Sequence, residues 1–253
     1  MTMMKKFWLP LVLALLSLEV DAQITLANTA MTPATGFSGA ATRTLASFTL
    51  SGTDRMLVVF GVQNAATVQL SDVTVNSISM TDPGLTVTNG NASIDVFYLG
   101  EGDLPANGDY DIVLSSGAAD IGRAIAFLFT GVADQAPEAT NSTTATSSSY
   151  SVAVTTVTDD AVVVGTAVHA SFGSGHSHTA TGDLDEQYDT GAYWTTAGYF
   201  VDGAASSVTF SGTFTPTSNA VLARVLAFEA AGGGGGSPTL VITQQMADVA
   251  NAR

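Results

Sequence analysis

The residues best suited to chemistry lie in a short stretch that contains every histidine of the chain, His169, His176 and His178. His176 and His178 would share a face if their loop were extended, and neutral imidazole binds zinc or copper readily. The spacing therefore permits a metal site at His176 and His178. No HExxH frame accompanies them, and polar histidines in a Ser/Gly turn are an ordinary surface feature.

The same stretch continues into four carboxylates within seven residues, Asp183, Asp185, Glu186 and Asp189. Carboxylate oxygens are the ligands that calcium prefers, so calcium is the one cofactor that this pattern suggests, with Asp183, Asp185 and Asp189 as ligands. The EF-hand frame is absent. A solvated acidic loop is therefore the favoured interpretation, with a calcium site as the alternative.

An aromatic group follows, with Tyr188, Tyr193 and Trp194 close together. Sugars stack on such rings, and Trp194 with Tyr188 would form a glycan platform. In a strand, Tyr193 and Trp194 point to opposite faces, so at most one of these two rings is exposed. Core packing of Trp194 is the favoured interpretation, and glycan binding is the alternative.

Catalytic frames are missing from the sequence: there is no G-x-S-x-G elbow, no P-loop and no Rossmann glycine pattern. An Asp or Glu pair for glycoside hydrolysis cannot be assigned, because the separation of the two carboxylates decides that chemistry. We therefore expect no catalytic residues and a non-enzymatic protein.

Composition sets the fold class. The chain has 253 residues, no cysteine and only 11% charged residues against 46% hydrophobic ones. A disulfide framework and a thiolate zinc site are excluded, and the scarcity of helix-favouring residues predicts an all-β protein. The net charge of −15 makes nucleic acid and anionic membrane poor partners.

Short runs of Val, Ile, Phe, Tyr and Thr alternate with turn residues, which is typical of a sandwich or jelly roll. We expect a single antiparallel β-sandwich of jelly-roll type. The alternation changes phase at Asn76-Ser77, which predicts a β-bulge or a change of sheet. The predicted strands are Leu45–Leu50, Arg55–Val62, Val73–Met80, Leu85–Thr88, Ser93–Leu99, Tyr110–Ser115, Ile121–Thr130, Tyr150–Val157, Ala161–Ala170, Ala192–Val201, Ser207–Ser211 and Ala220–Ala230.

A sequence similarity within the chain suggests two pseudo-repeated halves. The run from Arg123 to Phe127 (RAIAF) resembles the run from Arg224 to Phe228 (RVLAF), 101 residues later. Each would be a closing core strand of its half. The alternative is that buried strands resemble one another by composition alone.

The two ends of the sequence predict segments outside the folded body. Lys5, Lys6 and the apolar run that follows are typical of a secretory signal peptide over residues 1–22. The body would then occupy residues 23–231, a Gly-rich linker residues 232–238 and a short tail residues 239–253. No membrane span is expected after leader cleavage.

The strand runs from Leu57 to Val62 and from Ile94 to Leu99, with AIAFLFTGV at residues 124–132, resemble the jelly-roll-like β-sandwich modules of bacterial secreted and cell-surface, adhesin-like proteins. The likeness covers nearly all of residues 42–231. It implies a structural, adhesive or glycan-associated role.

We therefore expect a secreted structural or adhesive protein of the bacterial cell surface or extracellular matrix. The alternatives are a filament subunit assembled by strand addition, through residues 23–30 or 240–242, and a glycan- or calcium-binding module. A hydrolase is the last alternative. The expected partners are further copies of the chain or surface glycans.

Overall fold

The structure is a computed structural model that describes residues 23–32, 39–64, 69–89, 91–118, 121–170, 177–189, 195–215 and 220–232, without the side chains of 186–189. These residues form strands and no helix. The strands are β1 (Thr25–Thr32), β2 (Thr42–Leu50), β3 (Met56–Gln63), β4 (Leu70–Val75), β5 (Ile78–Ser79), β6 (Val87–Thr88), β7 (Ser93–Gly100), β8 (Gly108–Ser116), β9 (Ile121–Thr130), β10 (Ala139–Ala145), β11 (Ser149–Thr155), β12 (Ala161–His169), β13 (Ser177–Ala180), β14 (Asp185–Asp189), β15 (Thr195–Asp202), β16 (Ser207–Thr215) and β17 (Val221–Phe228).

The strands form four antiparallel sheets, two in each half of the chain. In the first half, β1 to β9, the inner sheet has the order β1-β9-β3-β7-β6 and the outer sheet the order β2-β8-β4-β5. In the second half, β10 to β17, the inner sheet has the order β10-β17-β12-β15-β14 and the outer sheet the order β11-β16-β13. The predicted all-β antiparallel sandwich class is confirmed.

The two inner sheets have corresponding strand orders. In each, the first strand of the half pairs with the last, and the last pairs with a central strand that is buried along its whole length. Val62 lies opposite Arg123 in the first sheet, and Thr166 lies opposite Arg224 in the second. The two arginines therefore occupy corresponding positions on β9 and β17.

Central strands β3, β9, β12 and β17 are mostly apolar because both of their faces are covered. Every residue of β3, β12 and β17 is buried, as the continuous apolar runs at residues 56–62 and 161–168 predict. The outer strand β11 instead alternates between exposed and buried residues, since only one face of its sheet contacts the core.

The core has two parts. Leu57, Val59 and Leu128 face the outer sheet of the first half and pack with Phe48 and Ile112. The alternate residues of the same strands, among them the rings of Phe60, Phe127 and Phe129, belong to a larger cluster that also includes residues of both second-half sheets. The four sheets are thus stacked in the order outer, inner, inner, outer.

Aromatic contacts join the two inner sheets. Tyr98 of β7 contacts Phe228 of β17 with ring centroids 5.8 Å apart, and Phe129 of β9 contacts Tyr199 of β15 at 5.5 Å. The two contacts are of the same kind. In each, the last strand of one half (β17 or β9) contacts the fourth strand in the sheet order of the other half (β7 or β15). The halves therefore pack through one continuous apolar layer.

One predicted strand differs from the structure. Residues 73–80 form a hairpin of β4 and β5, because Asn76 and Ser77 both have positive φ, 50° and 63°. Two residues of this kind make the tight turn that suits adjacent antiparallel strands. The phase break at Asn76-Ser77 is real, but it marks this turn rather than a bulge.

Four strands were not predicted: β1, β10, β13 and β14. β1 and β10 are TLANTAMT and ATNSTTA, and both are edge strands of the inner sheets. An edge strand needs little apolar surface, so its sequence lacks the pattern by which buried strands are recognised.

The predicted signal peptide and tail, residues 1–22 and 239–253, lie outside the described residues, as does the linker apart from Gly232. These assignments remain predictions. Within the described part of the chain, no helix is long and apolar enough to cross a membrane.

Candidate functional site

A concavity of about 430 Å³ lies on the solvent face of the outer sheet of the first half. β8 and the β4–β5 hairpin form it. Its lining combines carboxylates with hydroxyl and amide groups: Thr74, Asn76, Ser77, Asp109, Tyr110, Asp111 and Val113.

Asp109 and Asp111 share this face because side chains two residues apart in a strand point the same way. Ile112 and Leu114, which alternate with them, are buried. The Thr49 hydroxyl donates to Oδ1 of Asp109 at 2.6 Å, and the amide of Ser47 donates to Oδ1 of Asp111 at 2.9 Å. Both carboxylates are thus oriented by β2, where a bulge places Ser47 at φ 53°.

The arrangement offers hydrogen-bond acceptors beside hydroxyl and amide groups in an open surface depression. Such a surface suits a hydroxyl-bearing ligand, and nothing in it resembles a nucleophile held by a base. Sequence reasoning misses it because Asn107-Gly108-Asp109 is typical of a turn. Polar and apolar residues alternate through Asp109-Tyr110-Asp111-Ile112, and this pattern could have shown that the strand already begins at Gly108.

His178 lies in the core rather than in an exposed loop. It belongs to β13, is 8% exposed, and its Nε2 is 3.1 Å from the Tyr150 hydroxyl. Its ring also packs on Phe214, with centroids 4.6 Å apart. His169, on β12, is fully buried and contacts the same Phe214 ring. The proposed partner of His178 in a metal site, His176, lies outside the described residues.

The acidic residues of the predicted calcium site are distributed along one segment. Asp183 is exposed, and its Oδ2 accepts the amide of Thr209 at 2.6 Å, so this carboxylate holds the segment against β16. Asp185 is exposed at the start of β14. Asp189 and Tyr188 are in β14 with side chains that are not described, and Trp194 lies outside the described residues.

Among the described residues, no group of three or more His, Cys, Asp or Glu side chains is arranged to hold a metal ion. The predicted calcium and glycan sites depend in part on residues beyond that description. They therefore remain predictions.

Asp95 is a buried carboxylate that no sequence motif marks. It is 4% exposed, and it accepts hydrogen bonds from Gln63 Nε2, the Thr86 hydroxyl and the amide of Leu70, the last at 2.9 Å. Burial raises the pKa of Asp95, and the hydrogen bonds oppose this rise. The group ties β3, β4 and β7 together.

Arg224 is also buried, at 5% exposure. Arg224 and Phe228 are four residues apart in β17, so their side chains point to the same face of the sheet. Phe228 contacts Tyr98 of the first half, and Arg224 therefore faces the first half as well. Its Nε has no hydrogen-bond partner within the described part of the chain, and burial lowers its pKa. A cation buried in this way is costly.

A scan of protein-family models, a search of curated proteins and a search of solved structures each found no match to this chain. The fold class therefore rests on the structure alone: an all-β protein of four antiparallel sheets, compatible with a β-sandwich.

Proposed function

We propose that this chain is a secreted, non-enzymatic β-sandwich protein with a structural or adhesive role at the bacterial cell surface or in the extracellular matrix. The observation that supports it best is the continuous apolar core across the two inner sheets. This packing leaves the exposed faces of the outer sheets as the surface through which the protein acts.

The exposed positions of the outer strands favour contact with polar polymers. In β11 the exposed residues are Ser149, Ser151, Ala153 and Thr155. Hydroxyl side chains form hydrogen bonds without the desolvation cost of a formal charge. A surface of this kind suits adhesion better than it suits acid–base chemistry, which needs titratable groups placed together.

We also propose that the two halves are pseudo-repeats of a jelly-roll-like, adhesin-like module. The corresponding strand orders and the corresponding positions of Arg123 and Arg224 support this. The pairing of the first strand with the last occurs in both halves, and the need to bury apolar residues does not by itself require it.

A subunit of an extracellular filament is the second candidate. Among the described strands, β1 (Thr25–Thr32) lies at the edge of its sheet and pairs with β9 alone. Seven of its eight residues are Thr, Ala, Asn or Met, so it packs weakly compared with β9. A weakly packed edge strand is suited to exchange between neighbouring copies. In the described conformation, however, this segment is paired within its own chain.

A glycan- or calcium-binding module is the remaining candidate, and the concavity at Asp109 and Asp111 supports the glycan version. Calcium bound by the folded protein would raise its melting temperature by mass action. An unchanged melting temperature in millimolar calcium would exclude the calcium version.

Surface labelling of intact producing cells tests the main proposal. We expect externally added protease and antibody to reach the protein, and a strain that lacks it to lose attachment to a surface or to neighbouring cells. Protection from protease in intact cells would overturn the proposed location. Unchanged attachment and matrix content in the deletion strain would overturn the proposed role.

A further inference from the structure

Arg224 of β17 is a buried cation that no acid among the described residues neutralises. It is 5% exposed, and within the described part of the chain its Nε has no hydrogen-bond partner and its guanidinium forms no ion pair. Burial lowers its pKa, and no described carboxylate opposes that effect. A buried guanidinium without an acceptor is costly, so the groups that surround it indicate what it binds.

β7 and β17 run in the same direction in the two inner sheets. Gly100 of β7 and Phe129 of β9 both lie opposite Met56, so β7 and β9 end together. The bridge between Val132 and Ala230 joins the residues that follow β9 and β17, so these two strands also end together. Positions counted back from the ends of β7 and β17 therefore lie at similar heights in the two sheets.

This alignment places Arg224 beside β6. Phe228 of β17 contacts Tyr98 of β7, and four residues earlier in the two strands come Arg224 and Ile94. Ile94 pairs with Val87 of β6. β17 lies against β6 as well as β7, as expected when two packed sheets cross at about 30°. The buried guanidinium therefore lies where β6 meets the second half.

Asn89, directly after β6, brings a second donor without an acceptor. Its Oδ1 accepts the amides of Asn91 and Ala92 at 3.1 and 3.0 Å, and these two bonds fix the orientation of the side-chain amide. The Nδ2 of Asn89 is buried and has no hydrogen-bond partner among the described residues. Two buried nitrogen donors, on β17 and next to β6, thus lack acceptors in the same region.

β10 adds a hydroxyl group. Ser142 lies opposite Arg224 in the register of β10 and β17, so the two side chains point to the same face. Ser142 is half-buried, and β10 lies against β6. We call Arg224, Asn89 and Ser142 the donor site, because a guanidinium, an amide NH2 group and a hydroxyl can all donate to one acceptor group.

We propose that the donor site binds a small carboxylate from outside the chain, of the size of acetate. A guanidinium presents two parallel N–H groups that match the two oxygens of a carboxylate. The site has one formal positive charge, which one negative charge neutralises. A dianion such as phosphate or sulfate would leave a surplus negative charge in a chain whose net charge is already −15. Burial of the guanidinium restricts the ligand to a few atoms.

Three acids of the body have side chains outside the described residues: Asp120, Glu186 and Asp189. Glu186 and Asp189 belong to β14, which is three strands from β17 in the sheet order, or about 14 Å. Asp120 is therefore the acid of the chain itself that could replace the proposed ligand. The experiment must distinguish Asp120 from an external carboxylate.

Thermal unfolding in acetate tests the site, with acetate replacing chloride at constant ionic strength. The chain without residues 1–22 should melt about 2–4 °C higher once acetate is several-fold above its dissociation constant. Saturation-transfer NMR on the acetate methyl protons should detect the same binding independently of stability. The absence of both effects would overturn the proposal, and an equal rise in sulfate would overturn the carboxylate as the ligand class.

Arg224→Met tests the cation. The variant should fold, because an apolar side chain of similar length replaces an unpaired buried charge, and its melting temperature should not respond to acetate. Arg43→Met is the control, since it removes one positive charge from the outer sheet of the first half and should keep the response. A response to acetate that survives in Arg224→Met would overturn the site.

Asn89→Asp tests the composition of the site. It keeps the oxygen that accepts the amides of Asn91 and Ala92 and replaces the unpaired NH2 group by a charged oxygen. The new carboxylate should pair with Arg224, raise the melting temperature without acetate and weaken acetate binding at least about tenfold. The exposed control Asn91→Asp adds the same charge and should bind acetate like the unaltered protein. A lower melting temperature with unchanged acetate binding in Asn89→Asp would show that Asn89 lies away from Arg224.

Asp120→Asn separates the external ligand from an internal one. Acetate should bind this variant and the unaltered protein equally well. Tighter acetate binding in the variant would show that Asp120 occupies the donor site, and it would overturn an external ligand. None of these measurements involves attachment, so their failure would leave the proposed adhesive role intact.

Discussion

Arg55, just before β3, and Glu101, just after β7, form a two-pronged ion pair. Nε of Arg55 lies 2.7 Å from Oε2 of Glu101, and NH2 of Arg55 lies 2.7 Å from Oε1. The remaining guanidinium nitrogen donates to the carbonyl oxygen of Pro105 and to Asn107 Oδ1. One buried cation thereby fixes the start of β3 and the whole connection between β7 and β8.

Glu101→Gln should lower the free energy of unfolding at neutral pH by about 1–3 kcal/mol, since it removes a charge-assisted pair from a buried guanidinium. Hydrogen bonding to Arg55 lowers the pKa of Glu101. Its stabilisation is therefore complete above the ordinary glutamate pKa and is lost as the pH falls through the lowered value.

Urea unfolding between pH 2 and pH 7 measures this effect. The free energy of unfolding of Glu101→Gln should fall less on acidification than that of the unaltered protein. The exposed control Asp103→Asn should have a free energy of unfolding within about 0.5 kcal/mol of the unaltered protein at neutral pH. Equal losses in the two variants would contradict the role assigned to the pair.

Asp95 should have the opposite pH dependence. Burial raises its pKa, so the folded state binds a proton more tightly than the unfolded state does. The free energy of unfolding should therefore fall as the pH rises from the ordinary aspartate pKa through the raised value.

Asp95→Asn removes this titration. The amide oxygen of the new side chain can still accept from Gln63 Nε2 and the amide of Leu70, and its NH2 group can donate to the Thr86 hydroxyl oxygen. We expect a flatter stability profile across that pH window than in the unaltered protein. An unchanged profile, measured by chemical unfolding at a series of pH values, would show that Asp95 has an ordinary pKa.

Gly131→Ala should destabilise the protein for two reasons. Its φ is 74°, which an L side chain rarely adopts, and its new Cβ would collide with the Gln23 carbonyl oxygen. Gly84 provides a matched control, with φ 69° and nothing within 4 Å of an added Cβ.

Both alanine variants carry the conformational strain, about 1–2 kcal/mol. The collision should cost Gly131→Ala at least about 1 kcal/mol more. If thermal or chemical unfolding gave the same loss for the two variants, the close approach of Gln23 to Gly131 would be wrong.

Tyr150→Phe should lower the free energy of unfolding by about 1–2 kcal/mol. The substitution removes the hydroxyl that lies 3.1 Å from His178 Nε2 in the core. Tyr110→Phe is the control, since the half-buried Tyr110 hydroxyl has no hydrogen bond within the described part of the chain. A chemical-unfolding difference near zero between the variants would indicate that the Tyr150 hydroxyl contributes nothing to stability.

The local pattern of side chains identified most of the strands and the fold class. Residues 56–62 and 161–168 are apolar at every position or nearly so, and their strands are covered on both faces. The edge strands β1 and β10 escaped prediction because Thr, Ala and Asn residues leave no burial pattern. The position of His178 could not be predicted, because β13 is only four residues long and its inward face depends on its pairing with β16.

By itself, the sequence determined that this protein is all-β and free of disulfides, and that its net charge is strongly negative, because these properties follow from composition and from the two-residue period of a strand. Only the tertiary structure decided that four sheets are stacked, that Asp109 and Asp111 share a concavity with Asn76, and that Gln23 and Ala231 meet at Gly131. These features depend on which strands pair across separations of up to about a hundred residues, and no local pattern of side chains encodes that choice.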